Sequence, residues 1–172
     1  MTPKNSRVYI NTQQIQEAIQ MLAKNIMANY RGDNPLLLCV LNGSFLFFSD
    51  LVKELEIPLE VGFLKAKSYV GTESTGKVEV NTLDCDITDR RVILVEDIVD
   101  TGLTITKILE HLSSLNPKSV EVATLLDKPS RRKVEVVPEY VGLTIRDAFV
   151  IGYGLDLDGK YRNLKDIYII GE

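Results

Sequence analysis

Residues 92–104 read VILVEDIVDTGLT, an apolar run that meets the adjacent acids Glu96 and Asp97, then Ile98 and Val99, then Asp100 followed by Thr101, Gly102, Leu103 and Thr104. The carboxylates of Glu96 and Asp97 suit two tasks, accepting hydrogen bonds from sugar hydroxyls or binding Mg²⁺ through water. The residues after Asp100 open a helix. Its first backbone N–H groups are unpaired and carry partial positive charge, Gly102 permits close approach, and the hydroxyls of Thr101 and Thr104 add donors, so a phosphate fits there. Phosphate beside carboxylates is a contradiction until a sugar joins them. A phosphorylated sugar places its hydroxyls on the acids and its phosphate in the helix mouth. Taken singly, each residue reads as well as part of an acidic loop with Asp100 as N-cap; the run as a whole does not.

Other stretches carry less. GTESTGKV at 71–78 has the spacing of a phosphate-binding loop, but Val78 stands where Ser or Thr should reach magnesium and the next residues alternate like a strand. GYGLDL at 152–157 has Leu157 in place of the third glycine of a dinucleotide fingerprint, and DLDGKYRN lacks the donor spacing of a calcium loop. His111 is the only histidine and falls in a helical pattern, which argues against histidine triads. Cys39 and Cys85 form no CxxC pair and read as free thiols in a reducing cytoplasm.

The elements that must position these groups follow from periodicity. Ile15, Ala18, Ile19, Leu22, Ile26 and Tyr30 share one face of a helix over residues 12–30, with Asn11 and Gln14 at capping-box spacing and Gly32 beyond its end. PLLLCVL at 35–41 and RRVILVED are apolar without alternation, as in strands covered on both faces. Between them lie a helix through Phe45, Phe48, Leu51 and Val52, and a strand with Leu59, Val61 and Phe63 on its inner face. Residues 67–77 are rich in Gly, Ser and Thr and predict an exposed mobile loop. VEVNTL is a short strand, and Leu103, Ile105, Ile108, Leu109, Leu112 and Leu115 mark a helix over 102–115. SVEVATLL, YVGLTI, AFVIGY and DIYIIG supply further strands. The alternation predicts one α/β domain over residues 1–172, a mainly parallel open sheet with helices on both faces.

With 172 residues, about a quarter of them charged, and a formal net charge of −4, the chain is no polycation for nucleic acid. Its first residues lack a signal-peptide core and no apolar stretch is of membrane-spanning length, so the expectation is a cytoplasmic protein with neither nucleic-acid nor membrane partners.

VILVEDIVDTGLT resembles the phosphoribosyl diphosphate motif of type I phosphoribosyltransferases. LNGSFLFFSDL at 41–51, LLDKPSRR at 125–132 and YVGLTIRDAFVIGYGLDLDGKYRNL at 140–164 narrow the resemblance to the hypoxanthine-guanine branch, in consistent order from about residue 8 onward. The resemblance implies the type I phosphoribosyltransferase fold, with a small hood formed by the chain ends, and purine salvage. The implied reaction is Mg²⁺-dependent transfer of 5-phosphoribose to N9 of a 6-oxopurine, with release of pyrophosphate. Glu96, Asp97, Asp100, Thr101, Gly102, Leu103 and Thr104 then match the sugar-phosphate site, with Asp100 facing N7 of the base as the catalytic acid–base group. Arg162 matches a pyrophosphate-binding arginine. The turn at Leu41, Asn42 and Gly43 matches one that grips pyrophosphate through N–H groups across a non-proline cis peptide, although Asn42 stands where many relatives carry a basic residue.

For the base, the resemblance assigns Lys128 to O6, Phe149 to stacking on the ring, and the carbonyls of Val150 and Asp156 to N1 and the 2-position. Asp156 also matches a ligand of a second Mg²⁺, beside Glu96 and Asp97 for the first. Ser68 and Tyr69 match a Ser-Tyr pair in a lid that closes during reaction. Relatives are usually dimers or tetramers, so a homodimer or homotetramer is expected. Two rivals share the sugar-phosphate motif, a nucleotide-sensing RNA-binding regulator on the same fold and a transferase for another base. The segments around Lys128 and from Phe149 to Asp156 favour the purine enzyme.

Overall fold

The structure is a computed structural model that describes residues 3–68 and 78–171. In chain order the elements are β1 (Ser6–Ile10), α1 (Thr12–Asn29), β2 (Leu36–Leu41), α2 (Phe45–Glu54), β3 (Glu60–Ser68), β4 (Val78–Leu83), β5 (Arg91–Val99), α3 (Leu103–Ser113), β6 (Ser119–Asp127), β7 (Tyr140–Thr144), β8 (Val150–Ile151) and β9 (Ile167–Ile170). Strands β3, β2, β5, β6 and β7 are parallel neighbours in that order, and β4 pairs antiparallel on the β3 edge. The fold is the mainly parallel α/β sheet that the pattern predicts.

The two uninterrupted apolar runs are the two central strands, for the reason anticipated: both of their faces are covered. Leu37 and Cys39 of β2 and Ile93 and Val95 of β5 pack into a core under α1 and α2, whereas Leu36, Leu38, Val40, Val92 and Leu94 pack into the opposite core under α3. The chain leaves β2 through α2 toward β3, and leaves β5 through α3 toward β6, on opposite sides. The carboxyl ends of β2 and β5 therefore flank the switch point, the crevice where open α/β sheets bind ligands.

Helix α1 begins as its sequence indicates. Asn11 accepts from the Gln14 N–H at 2.9 Å, and the Gln14 side chain accepts from the Asn11 N–H at 3.0 Å. The chain ends build a second, antiparallel sheet ordered β1-β9-β8, the hood, whose Ile10, Val150 and Ile167 join the α1/α2 core. The AFVIGY strand is short, with only Val150 and Ile151 paired.

Three expectations about faces are corrected. In α2 the buried stripe is Ser44, Phe47, Phe48, Leu51 and Leu55, and Phe45 is 41% exposed, because the helix is rotated about one residue from the predicted face. In β3 the inward residues are Gly62 and Leu64; Val61 and Phe63 lie on the less covered face, where the Phe63 ring meets Phe48 at 5.7 Å between centroids. Gly62 faces inward, where a Cβ would lie 2.5 Å from the Cys85 sulfur and only glycine fits, and the strand's two-residue period turns Phe63 outward. In α3, Leu103 is 47% exposed while Ile105, Ile108 and Leu112 are buried.

Candidate active site

Two clefts open where β2, β5 and β6 end. The first, about 290 Å³, is walled by Gly43, Glu96, Asp97, Asp100, Thr101, Gly102 and Thr104 with apolar neighbours. The second, about 260 Å³, is walled by Lys128, Phe149, Val150, Leu155 and Asp156. Asp97, Ile98 and Asp100 belong to both, so the clefts meet at these residues. Most of the residues singled out in the sequence, spread over more than 100 positions, converge here.

Glu96 and Asp97 lie inside β5, which pairs with β6 as far as Val99, rather than beyond its end. Glu96 receives a 3.3 Å hydrogen bond from the Ser44 hydroxyl. Asp97 accepts from the Ile98 N–H at 2.8 Å. Burial pushes the Glu96 carboxyl well above the usual carboxylate range, and the neighbouring Asp97 charge adds to it. Burial likewise raises Asp97 to about 6, against the Ile98 N–H and the nearby Arg162 charge, which stabilise the anion. Behind them, burial first and then the charges of Glu96 and Asp97 push the Cys39 thiol up to about 12, which leaves it a packed apolar group and no nucleophile.

Gly102, at φ +82°, is the residue that caps α3, so Asp100 is not the N-cap. A Cβ on Gly102 would also lie 2.6 Å from Val136, so the contact that demands glycine comes from the protein itself as well as from the turn. Asp100 turns its carboxylate instead toward two cations. Its Oδ1 accepts from Arg131 Nε at 3.2 Å, and its Oδ2 lies 3.8 Å from Lys128 Nζ. Lys128 is buried and donates to the Ala148 carbonyl at 2.5 Å. The Phe149 ring is half exposed and free to stack. Leu103 is exposed and is not among the residues that wall the first cleft.

The turn after β2 contains a cis peptide between Leu41 and Asn42. A Cβ on Gly43 would fall 1.8 Å from Asp97 Oδ2, and one on Gly154 would fall 2.0 Å from the Gly43 carbonyl oxygen. Three chain segments therefore pack backbone against backbone or carboxylate with no room for a side chain. Arg162 donates to the Gly154 carbonyl at 2.5 Å and pairs with Asp156 Oδ1 at 2.7 Å; Asp156 Oδ2 accepts from the Gly159 N–H at 2.7 Å. Ser68 ends β3, and Tyr69 with the rest of the stretch to Lys77, where a lid is expected, lies outside the described residues.

No group of three or more His, Cys, Asp or Glu side chains among the described residues is gathered closely enough to hold a metal by protein ligands alone. The donor set still fits a hard cation that keeps water and takes substrate oxygens, because Glu96 and Asp97 are adjacent, partly buried carboxylates on the wall of the first cleft. Asp156 has both oxygens engaged and fits such an ion only when Arg162 and the Gly159 N–H release it. Residues without an assigned role in the sequence reading are Ser44, Asp127, Arg131 and Arg132. The only signal for the last two was the basic cluster in LLDKPSRR.

The mouth of α3, the adjacent acids at the switch point, and a second cleft with a lysine and an open aromatic ring thus lie together at one edge of the sheet. The phosphoribosyl transferase domain model matches residues 8–158, and the chain belongs to that family. It is 41% identical over 168 residues to the hypoxanthine-guanine-xanthine phosphoribosyltransferase of Tritrichomonas foetus, covering 96% of this chain and 92% of that protein. It is 44% identical over 161 residues to the hypoxanthine phosphoribosyltransferase of Salmonella typhimurium, covering 91% and 90%. Among solved structures, a hypoxanthine-guanine phosphoribosyltransferase from Bacillus anthracis superposes with a TM-score of 0.91 at 41% identity, over 96% of this chain and 98% of that one.

Proposed function

We propose that the protein is a purine-salvage phosphoribosyltransferase that joins the 5-phosphoribosyl group of phosphoribosyl diphosphate to N9 of hypoxanthine or guanine, releasing pyrophosphate. The observation that carries this reading is the junction of the two clefts at Asp97, Ile98 and Asp100, which would set a sugar's C1 between a phosphate cup and a base slot. The 5-phosphate sits among the N–H groups that open α3, and the ribose hydroxyls face Glu96 and Asp97. Glu96 and Asp97 would hold one Mg²⁺ with the sugar diphosphate's oxygens, and Asp156 a second when Arg162 releases it; the ions would neutralise charge on the leaving pyrophosphate.

In the base slot Lys128 donates to O6 with a proton not committed to Ala148, and Phe149 stacks on the ring. Adenine would present its 6-amino donor to the Lys128 donor and is rejected. Asp100, held between Lys128 and Arg131, faces N7 and exchanges a proton with the base as N9 attacks. Arg162 exchanges its bonds to Gly154 and Asp156 for the pyrophosphate, beside the N–H groups of the Asn42–Gly43 turn. Ser68 and Tyr69 belong to the lid. The working location is the cytoplasm and the working unit a homodimer or homotetramer; no helix among the described residues is long and apolar enough to cross a membrane.

The deciding assay measures pyrophosphate release from phosphoribosyl diphosphate and Mg²⁺ with hypoxanthine, guanine, xanthine, adenine and uracil in turn. Release with the 6-oxopurines and none with adenine or uracil is expected. Release with no base would reject the reading in favour of a nucleotide-sensing regulator.

A further inference from the structure

The segment after β6 does more than carry Lys128. Arg132, mostly buried, donates from Nη1 to the carbonyls of two successive residues, Val99 at 3.0 Å and Asp100 at 2.5 Å, while its Nη2 is bonded to the buried carboxylate of Asp127. On either side of it, the Lys128 N–H donates to the Val99 carbonyl and the Lys133 N–H to the Thr101 carbonyl, both at 2.9 Å. The carbonyls of Val99, Asp100 and Thr101 are thus all drawn to the same side, toward residues 128–133.

The peptide units that follow these residues are trans, the cis bond lying at Leu41–Asn42. In a trans unit the N–H points opposite to the C=O. The N–H groups of Asp100, Thr101 and Gly102 must therefore project away from the 128–133 segment, and the side away from it is the first cleft, whose wall these residues form. A cation set on the carbonyl ends of consecutive peptide units also polarises them and strengthens each N–H as a donor to an anion. A guanidinium suits this task because its planar fork reaches two acceptors and the Asp127 carboxylate together and it never loses its charge.

We infer that Arg132 is a positioning residue for the phosphate cup: it touches no substrate, but it aligns and polarises the main-chain N–H groups that bind the 5-phosphate. The packing agrees, since the Arg132 Cδ lies 3.0 Å from where a Gly102 Cβ would be, flush against the turn. Because Lys128 sits on the same short segment, one rigid piece sets both the phosphate end and the base end of the site. A guanidinium that served only to neutralise Asp127 would not need to bridge the carbonyls of Val99 and Asp100 at the end of β5.

The inference rests on the proposed transferase activity and is tested with Arg132→Met and Arg132→Lys in the whole protein. Affinity for ribose 5-phosphate is measured by calorimetry, KM for phosphoribosyl diphosphate and for hypoxanthine by pyrophosphate release, and folding by melting temperature. Arg132→Met is expected to weaken ribose 5-phosphate binding and raise KM for phosphoribosyl diphosphate by about tenfold or more, the size of a lost charge-assisted hydrogen bond. KM for hypoxanthine should change much less, and Arg132→Lys should recover part of the loss. A folded Arg132→Met with wild-type affinity for ribose 5-phosphate, or with both KM values raised in parallel, overturns the inference. If Arg132→Met fails to fold, unchanged ribose 5-phosphate affinity in Arg132→Lys overturns it alone. Wild-type protein that forms no nucleotide would instead defeat the functional reading, and the inference with it.

Discussion

Asp97 couples the site to pH through burial. Its carboxyl holds a proton to about pH 6 in the folded chain, against an ordinary value of 3.8 that applies once it is unfolded. Between those values the folded state binds more protons than the unfolded one, so stability is full below pH 4 and falls as pH rises through 6. Glu96, shifted the same way, adds to the trend. Melting curves between pH 4 and 7 should show the wild type losing stability more steeply than Asp97→Asn; parallel curves would refute the assignment. Asp100 makes a different prediction. Asp100→Asn should lower kcat by about 10²- to 10⁴-fold with little change in KM for phosphoribosyl diphosphate, as expected of general acid–base help. Equal losses in both would reduce Asp100 to a positioning group.

Among the elements, the interlocked turns matter more than any helix. The cis turn after β2, the end of β5 and the stretch 152–162 meet at Gly43, Asp97 and Gly154, where a Cβ on either glycine would overlap an oxygen. Gly43→Ala must displace the Asp97 carboxylate, and a loss of at least about 100-fold in kcat/KM is expected, since small misplacements of a catalytic constellation cost that much. Steady-state kinetics on the folded variant would check it. The α1 cap gives the contrasting case. Asn11→Ala removes a capping box remote from both clefts and should cost about 0.5–2 kcal/mol of stability, read from denaturant midpoints, with kcat unchanged.

For the molecule as a whole, the hood and the main sheet are joined by more than chain connectivity. Thr12, at the start of α1, donates both its N–H and its hydroxyl to Asp166 Oδ1 at 2.7 Å, and Ile169 of β9 pairs with Arg7 of β1 and Val150 of β8. Val150 is a wall of the second cleft, so β9 supports that cleft through one strand. Ile169 is buried, and Ile169→Ala should cost about 2–5 kcal/mol by the cavity it leaves. In protein that remains folded, KM for hypoxanthine should rise more than KM for phosphoribosyl diphosphate. Equal changes would show that the hood supports the whole site evenly.

Much of this was written locally. Unbroken apolar runs marked β2 and β5 as central because burial on both faces removes alternation, and Asn11 with Gln14 marked the start of α1 because a capping box closes within one turn. That the residues of VILVEDIVDTGLT share one cleft was legible because Glu96, Asp97, Asp100, Thr101, Gly102 and Thr104 are neighbours in the chain. The face of β3 was not: Val61 and Phe63 alternate as regularly as Gly62 and Leu64, and Leu64 rather than Phe63 is buried once the sheet packs, with Cys85 close over Gly62. Nor could the spelling of LLDKPSRR distinguish Arg132, whose carbonyl partners lie 32 and 33 residues away, from any surface arginine. Hydrogen-bonding capacity is a property of the residue, but its partners are chosen by which strands lie side by side. That choice is made when the two cores pack.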